Sequence, residues 1–136
     1  MTPTSKEQRH GAYHEHTDHR YLRNLRKGAP EAVKAFMAFD QEALAGAGKV
    51  IPRKYTELMA VAVALTTQCA YCIEAHVPAA KAAGASEAEL AETVMIAAAL
   101  RAGGSYTHGF MAMKFFEQAP EADAPAGGET EQAARA

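Results

Sequence analysis

The stretch Thr56–His76, TELMAVAVALTTQCAYCIEAH, decides how the rest of the chain is read. Its first half contains LMAVAVAL, Leu58 to Leu65, which is apolar all round and lacks the strict alternation of a half-buried strand. That pattern predicts a helix buried on every side. Its second half, QCAYCIEAH, holds the only two cysteines of the chain, Cys69 and Cys72, with His76 just beyond them. At about 100° per residue on a helix, Cys72 lies about 60° from Cys69 and His76 about 20° away on the other side. All three then share one face. Cα atoms three residues apart in a helix are about 5 Å from each other, which a disulfide tolerates, so the dithiol can close without unfolding. A helix starting at the first cysteine places both thiols at its positive end, where unpaired N–H groups stabilise a thiolate. A nearby histidine adds a proton acceptor or a cation, and such settings lower a cysteine pKa.

Several uses of the segment stay open at this point. Covalent haem attachment requires a histidine directly after the second cysteine, and Ile73 stands there. A thioredoxin-type site requires a strand leading into the CxxC helix, and the preceding residues read as helix. Zinc is a serious rival: Cys69, Cys72 and His76 are competent ligands, with His108 or Glu57 available as a fourth. Structural zinc usually draws on two separated pairs, and the chain has no second cysteine pair. Two buried cysteines without a role form the third reading, because free cysteine behaves as a small hydrophobe.

Outward from this stretch the chain reads as helix throughout. Pro52 suits the start of the helix that runs to about Gln68, and Pro30 suits the start of the one before it. That earlier helix carries Val33, Phe36, Met37 and Leu44 and is expected to end near Gly46 and Gly48. A short first helix is expected over about 18–27, with Tyr21, Leu22 and Leu25 as its apolar side. After Cys69 or Ala70 a fourth helix is expected to reach Gly84. Pro78 within it removes a hydrogen bond and crowds the Glu74 carbonyl, which predicts a kink or two pieces. Ser86-Glu87-Ala88-Glu89 forms a capping box for a fifth helix through about Ala102. Gly103-Gly104 is expected to break the chain before a sixth helix over Ser105–Gln118. The expected fold class is therefore all-α, a bundle of about six helices.

At 136 residues the chain is expected to form one domain with one core. A net charge of −2, without a basic stripe interleaved with aromatics, argues against nucleic acid or an anionic membrane as a partner. The start of the chain lacks the apolar run of a signal peptide, and Leu58–Leu65 is too short to span a bilayer. A cytoplasmic location is the expectation, and in a reducing compartment a lone CxxC is more often catalytic or metal-binding than a structural staple. Residues 1–17 read as a polar arm, 18–118 as the helical domain, and 119–136 (APEADAPAGGETEQAARA) as a disordered acidic tail.

Glu57 narrows the choice. Alone, it reads as a solvated first-turn carboxylate favoured by the helix dipole. Together with the dithiol, the pattern Glu57-x11-Cys69-x2-Cys72-x3-His76 resembles the alkylhydroperoxidase D (AhpD)-like branch of the carboxymuconolactone decarboxylase family. The similarity extends over roughly Ile51 to His108, and more loosely over Pro30 to Gly48. The resemblance implies an all-helical AhpD-like bundle that assembles as a homo-trimer or homo-hexamer, which would account for the over-apolar third helix. It implies a peroxide reductase with Cys72 as peroxidatic thiol, Cys69 as resolving thiol, and His76 with Glu57 as a proton relay. It implies an external dithiol reductant, a lipoyl or thioredoxin-like protein; the sequence carries no flavin, haem or nucleotide motif, so no cofactor is expected. Some relatives carry a histidine between the cysteines, where this chain has Ala70 and Tyr71. Pro78 is also unusual in a segment that relatives keep helical. A carboxymuconolactone decarboxylase-type enzyme is a further alternative, but decarboxylases of the wider superfamily act on a lactone acid without a CxxC, so the dithiol argues against that activity. A non-enzymatic, zinc- or redox-responsive helical assembly is the alternative from a different class.

Four of the six histidines are His10, His14, His16 and His19, the first two at i, i+4 spacing. A metal site is conceivable there, and a solvated or packed arm is the simpler reading. His108 is a candidate for the dithiol pocket or for an interface. Tyr106, Phe110, Met111 and Met113 read as core or subunit-contact side chains, and Arg101 as a cation complementing the end of its helix.

Overall fold

The structure is a computed structural model and describes residues 13–121. Among them there are five α-helices, one 3-10 turn and no strand. The 3-10 turn spans Asp18–Tyr21, followed by α1 (Leu22–Gly28), α2 (Pro30–Ala45), α3 (Arg53–Thr67), α4 (Ala70–Ala82) and α5 (Glu87–Gln118). The chain divides into two compact units, residues up to Arg101 and those after it. Most of the expected polar arm, including His10, and the expected tail beyond Glu121 lie outside the described residues.

Local chemistry accounts for most helix ends. Pro30 occupies the first turn of α2, where its missing N–H costs nothing. Pro52 sits one step outside α3, at its N-cap, and its carbonyl accepts from Tyr55 N at 2.9 Å. Gly84, at φ +89°, ends α4 in the left-handed conformation, and Ala85 N donates to Ala80 O at 2.9 Å. The capping box forms: Ser86 N donates to Glu89 Oε2 at 2.8 Å, and Glu89 N donates to Ser86 Oγ at 3.2 Å.

Three expectations about where helices begin and end need correction. The short first helix begins as a 3-10 turn before α1. α4 is not split by Pro78 but runs through it. Glu74 and Pro78 are both exposed, so the turn that loses a helical hydrogen bond lies at the surface rather than in the core. The expected fifth and sixth helices are the single helix α5. Neither Gly103 nor Gly104 takes a positive φ, and Thr107 Oγ1 donates back to their carbonyls at 3.0 and 3.2 Å. The alanine-rich segment before them, Ala97–Ala102, carries the helix past two residues that each cost about 1 kcal/mol relative to alanine.

α3 is the centre of the first unit and packs most extensively on α4. Leu58, Val61 and Ala64 of α3 are buried, with Ala80 of α4 and Ala97 of α5. The expectation that α3 is buried on every side does not hold within one chain, because Met59 is 47% exposed and Val63 59%. That second apolar face borders a cavity. Arg101 does not complement the end of its own helix, which continues to Gln118; its guanidinium donates to Thr66 O in the last turn of α3.

Candidate functional site

α3 and α4 are joined by a two-residue reversal that places the cysteines. Gln68 adopts the left-handed conformation (φ 57°, ψ 40°), and Cys69 N donates to Ala64 O at 3.0 Å, closing the end of α3. Cys69 is thereby set in an extended conformation as the N-cap of α4, its Sγ accepting from Cys72 N at 3.3 Å. Cys69 and Cys72 form a disulfide with Cα atoms 5.3 Å apart. Both lie in the first turn of α4, where the unpaired amides of the helix start favour a thiolate once the bond is reduced.

Glu57 is not a solvated first-turn carboxylate, since it is 0% exposed. Its Oε2 accepts a hydrogen bond from His76 Nδ1 at 2.7 Å, linking α3 to α4. Its Oε1 forms an ion pair with the Arg53 guanidinium one turn earlier, without the alignment of an ordinary hydrogen bond. Arg53 is half-exposed and also donates to Leu44 O at 2.9 Å, so it bridges α2, α3 and the buried carboxylate. Sequence reasoning missed Arg53, although its i, i+4 spacing to Glu57 was a usable signal. With Nδ1 donating to Glu57, neutral His76 presents Nε2 as an unprotonated acceptor, and this is its only ring nitrogen left for further chemistry.

A cavity of about 390 Å³ opens beside this arrangement. Leu44, Ile51, Met59 and Val63 supply apolar wall, and Lys49, Cys72 and His76 also border it. Cys69 is not among the lining residues. The four residues of the sequence pattern are thus brought together on one hairpin, with only Cys72 and His76 facing the cavity.

The opposite side of the first turn of α4 meets the segment before α1. Tyr71, between the cysteines, donates its hydroxyl to Asp18 Oδ2 at 2.7 Å, and the His14 ring meets the Tyr71 ring edge-on at 4.2 Å. His14 Nε2 lies 3.0 Å from Glu74 Oε2. The Tyr71 hydrogen bond, and then the Glu15 backbone N–H, hold the Asp18 carboxyl below its ordinary pKa; the same Asp18 contact pushes the Tyr71 hydroxyl up. His19 Nδ1 lies 2.7 Å from His16 O. His108 Nδ1 lies 2.8 Å from Gly104 O within α5.

The zinc set considered from the sequence is not assembled. Its two cysteines are joined to each other, and Glu57 is taken up by His76 and Arg53. Among the described residues no three His, Cys, Asp or Glu side chains are grouped to hold a metal ion. No helix of the described residues is long and apolar enough to cross a membrane.

Comparison with known proteins gives a consistent family. Residues 30–115 match the model of the carboxymuconolactone decarboxylase family. The chain is 36% identical over 84 residues to "Uncharacterized protein 4 in cox locus" of Paracoccus denitrificans, covering 62% of this chain and 74% of that protein. It is 42% identical over 64 residues to an uncharacterized protein of Haemophilus influenzae, covering 46% of this chain and 55% of that one. The fold is similar to the crystal structure of an apo carboxymuconolactone decarboxylase family protein from Legionella pneumophila. That match has a TM-score of 0.54 and 30% identity, over 73% of this chain and 87% of the other. On the match of most of its helical region, the chain belongs to the carboxymuconolactone decarboxylase family.

Proposed function

We propose that this protein is a thiol-dependent hydroperoxide reductase, in the manner of the AhpD-like branch that its sequence pattern resembles. The observation that carries the reading is the asymmetry of the disulfide: Cys72 borders the cavity with His76, whose ring is held by fully buried Glu57, while Cys69 does not border it. In the reduced protein Nε2 of His76 takes the Cys72 thiol proton, and Glu57 stabilises the resulting imidazolium through Nδ1. The Cys72 thiolate attacks the terminal oxygen of ROOH; the S–O bond forms as the O–O bond breaks, giving Cys72 sulfenic acid. The alkoxide leaving group receives the proton from His76 and departs as ROH. The Cys69 thiol then condenses with the sulfenic acid, releasing water and closing the Cys69–Cys72 disulfide. An external dithiol, of the lipoyl or thioredoxin-like class, reduces the disulfide and restores both thiols. The sum is ROOH plus a dithiol giving ROH, water and a disulfide.

The active form in this proposal is a homo-oligomer, a trimer or hexamer, working in a reducing cytoplasm. Exposed Phe36 and Phe39 of α2, Met95 and Leu100 of α5 in the first unit, and Phe115 and Phe116 in the second support self-association.

The test is dithiol-dependent consumption of cumene hydroperoxide by the wild type and Cys72→Ser. Turnover in the wild type that disappears in the variant supports the reading. Undiminished turnover in the variant removes it.

A further inference from the structure

The cavity beside Cys72 has two chemically distinct features, and only one of them belongs to the redox step. Leu44, Ile51, Met59 and Val63 make its wall apolar, and Cys72 with His76 supplies the reacting groups. The remaining charged lining residue is Lys49. Its ammonium donates to Ala43 O in the last turn of α2, which uses one of its three donors. Among the described residues no carboxylate lies within ion-pair reach of Lys49, whereas Arg53 is paired with Glu57 and Lys54 with Glu89. An unpaired cation bordering an apolar chamber complements a ligand with an apolar body and one negative charge. The volume of about 390 Å³ exceeds by more than twofold a cavity of about 150 Å³ that accepts benzene. Hydrogen peroxide would leave most of this space unfilled.

We propose that Lys49 makes the cavity a binding site for amphipathic monocarboxylates, with the carboxylate held by the ammonium and the apolar body against Leu44, Ile51, Met59 and Val63. Resting on the peroxidase reading above, the preferred substrate class is the hydroperoxide of such an acid. The carboxylate sits at Lys49 and the O–O bond at Cys72. Lys49 is then a specificity-determining residue, and its contact with Ala43 O orients it rather than exhausting its function. Because the lysine is exposed, the preference weakens as salt is added.

The experiment uses two readouts on the full-length protein. The first is calorimetric binding of 4-(2-hydroxypropan-2-yl)benzoate and of its methyl ester to the oxidised protein, which requires no turnover. The second is dithiol-dependent reduction of the two corresponding hydroperoxides. Wild type is expected to prefer the acid over the ester by about five- to tenfold in both readouts, the scale of one ordinary hydrogen bond, since the exposed ammonium is screened by water. Lys49→Gln keeps a donor for Ala43 O but no charge, and is expected to bring the ratio to about one. Lys49→Arg is expected to retain the preference. Equal binding of acid and ester by the wild type, or a preference that survives in Lys49→Gln, overturns the proposal. A Lys49-dependent binding preference without reduction of either hydroperoxide supports the carboxylate site and removes the peroxidase reading instead.

Discussion

Glu57 Oε2 and His76 Nδ1 lie 2.7 Å apart, tying a fully buried carboxylate on α3 to the imidazole on α4. With the carboxylate accepting from Nδ1, the neutral ring keeps Nε2 as its acceptor, and His76 borders the cavity. The contact also joins two helices at a buried carboxylate whose other oxygen is paired with Arg53.

Glu57 therefore has a structural and a chemical role that two substitutions separate. Glu57→Ala leaves the Arg53 and His76 donors facing a void and is expected to lower stability by about 2–3 kcal/mol. Glu57→Gln keeps the volume and an acceptor for Nδ1 but does not stabilise an imidazolium. Its expected signature is a stability loss smaller than that of Glu57→Ala, because one acceptor remains for two donors, with hydroperoxide turnover down by about a hundredfold. Turnover close to wild type in Glu57→Gln would contradict the relay.

Arg53 is a positioning residue that acts through Glu57. Arg53→Met removes the partner of a buried carboxylate oxygen and is expected to cost about 1–2 kcal/mol, since the guanidinium is half-exposed and partly screened. Because Arg53 acts through Glu57, its loss is expected to lower hydroperoxide turnover in the wild type but to add little further loss in Glu57→Gln. Equal losses in both backgrounds would mean that Arg53 serves only to hold Leu44 O.

The Asp18–Tyr71 contact sets a pH window for docking of the segment before α1. A carboxyl held below its ordinary value contributes stability above that value and loses it as pH falls through the folded one. A phenol pushed up contributes stability below its ordinary value and loses it as pH rises through the folded one. Asp18 is the first case and Tyr71 the second. Docking is expected to hold from about pH 4 to about pH 10 and to loosen outside that range. Hydrogen exchange over residues 18–28, corrected for intrinsic rates, reads this directly. Tyr71→Phe should remove the alkaline limb and weaken the acid one, where the Glu15 N–H still holds Asp18, and an unchanged response would assign it to other groups.

Pro78 leaves α4 intact but denies the Glu74 carbonyl its helical donor. Because both residues are exposed, Pro78→Ala restores a hydrogen bond without disturbing the core. It is expected to stabilise the protein by about 1–3 kcal/mol, seen as a higher Tm. A lower Tm would show that the ring makes packing contacts worth more than the bond.

Much of this organisation was legible in local sequence. Ser86 and Glu89 announced their capping box, Pro30 its helix start, and Cys69 with Cys72 a bond-forming spacing. What was not legible depended on tertiary context. Gly103 and Gly104 read as a break because propensity alone cannot weigh two costly residues against a long alanine-rich helix. LMAVAVAL read as buried all round because an apolar face that lines a cavity or meets another subunit has the same sequence as one packed within the chain. Glu57 read alone as solvated, since the partners that make its burial possible, Arg53 and His76, are placed by the hairpin rather than by its neighbours. Lys49 gave no signal at all, because a lone lysine after a helix acquires meaning only from the cavity beside it.

The most direct measurement is mass spectrometry of reduced Cys69→Ser after one equivalent of cumene hydroperoxide, with a sulfenic-acid trap present. The expected result is rapid trapping of a single sulfenic acid at Cys72, slowed strongly when His76→Ala is added. An unmodified Cys72 in Cys69→Ser, together with a sulfenic acid at Cys69 in the reciprocal Cys72→Ser protein, would contradict the assignment of Cys72 as the thiol that meets peroxide.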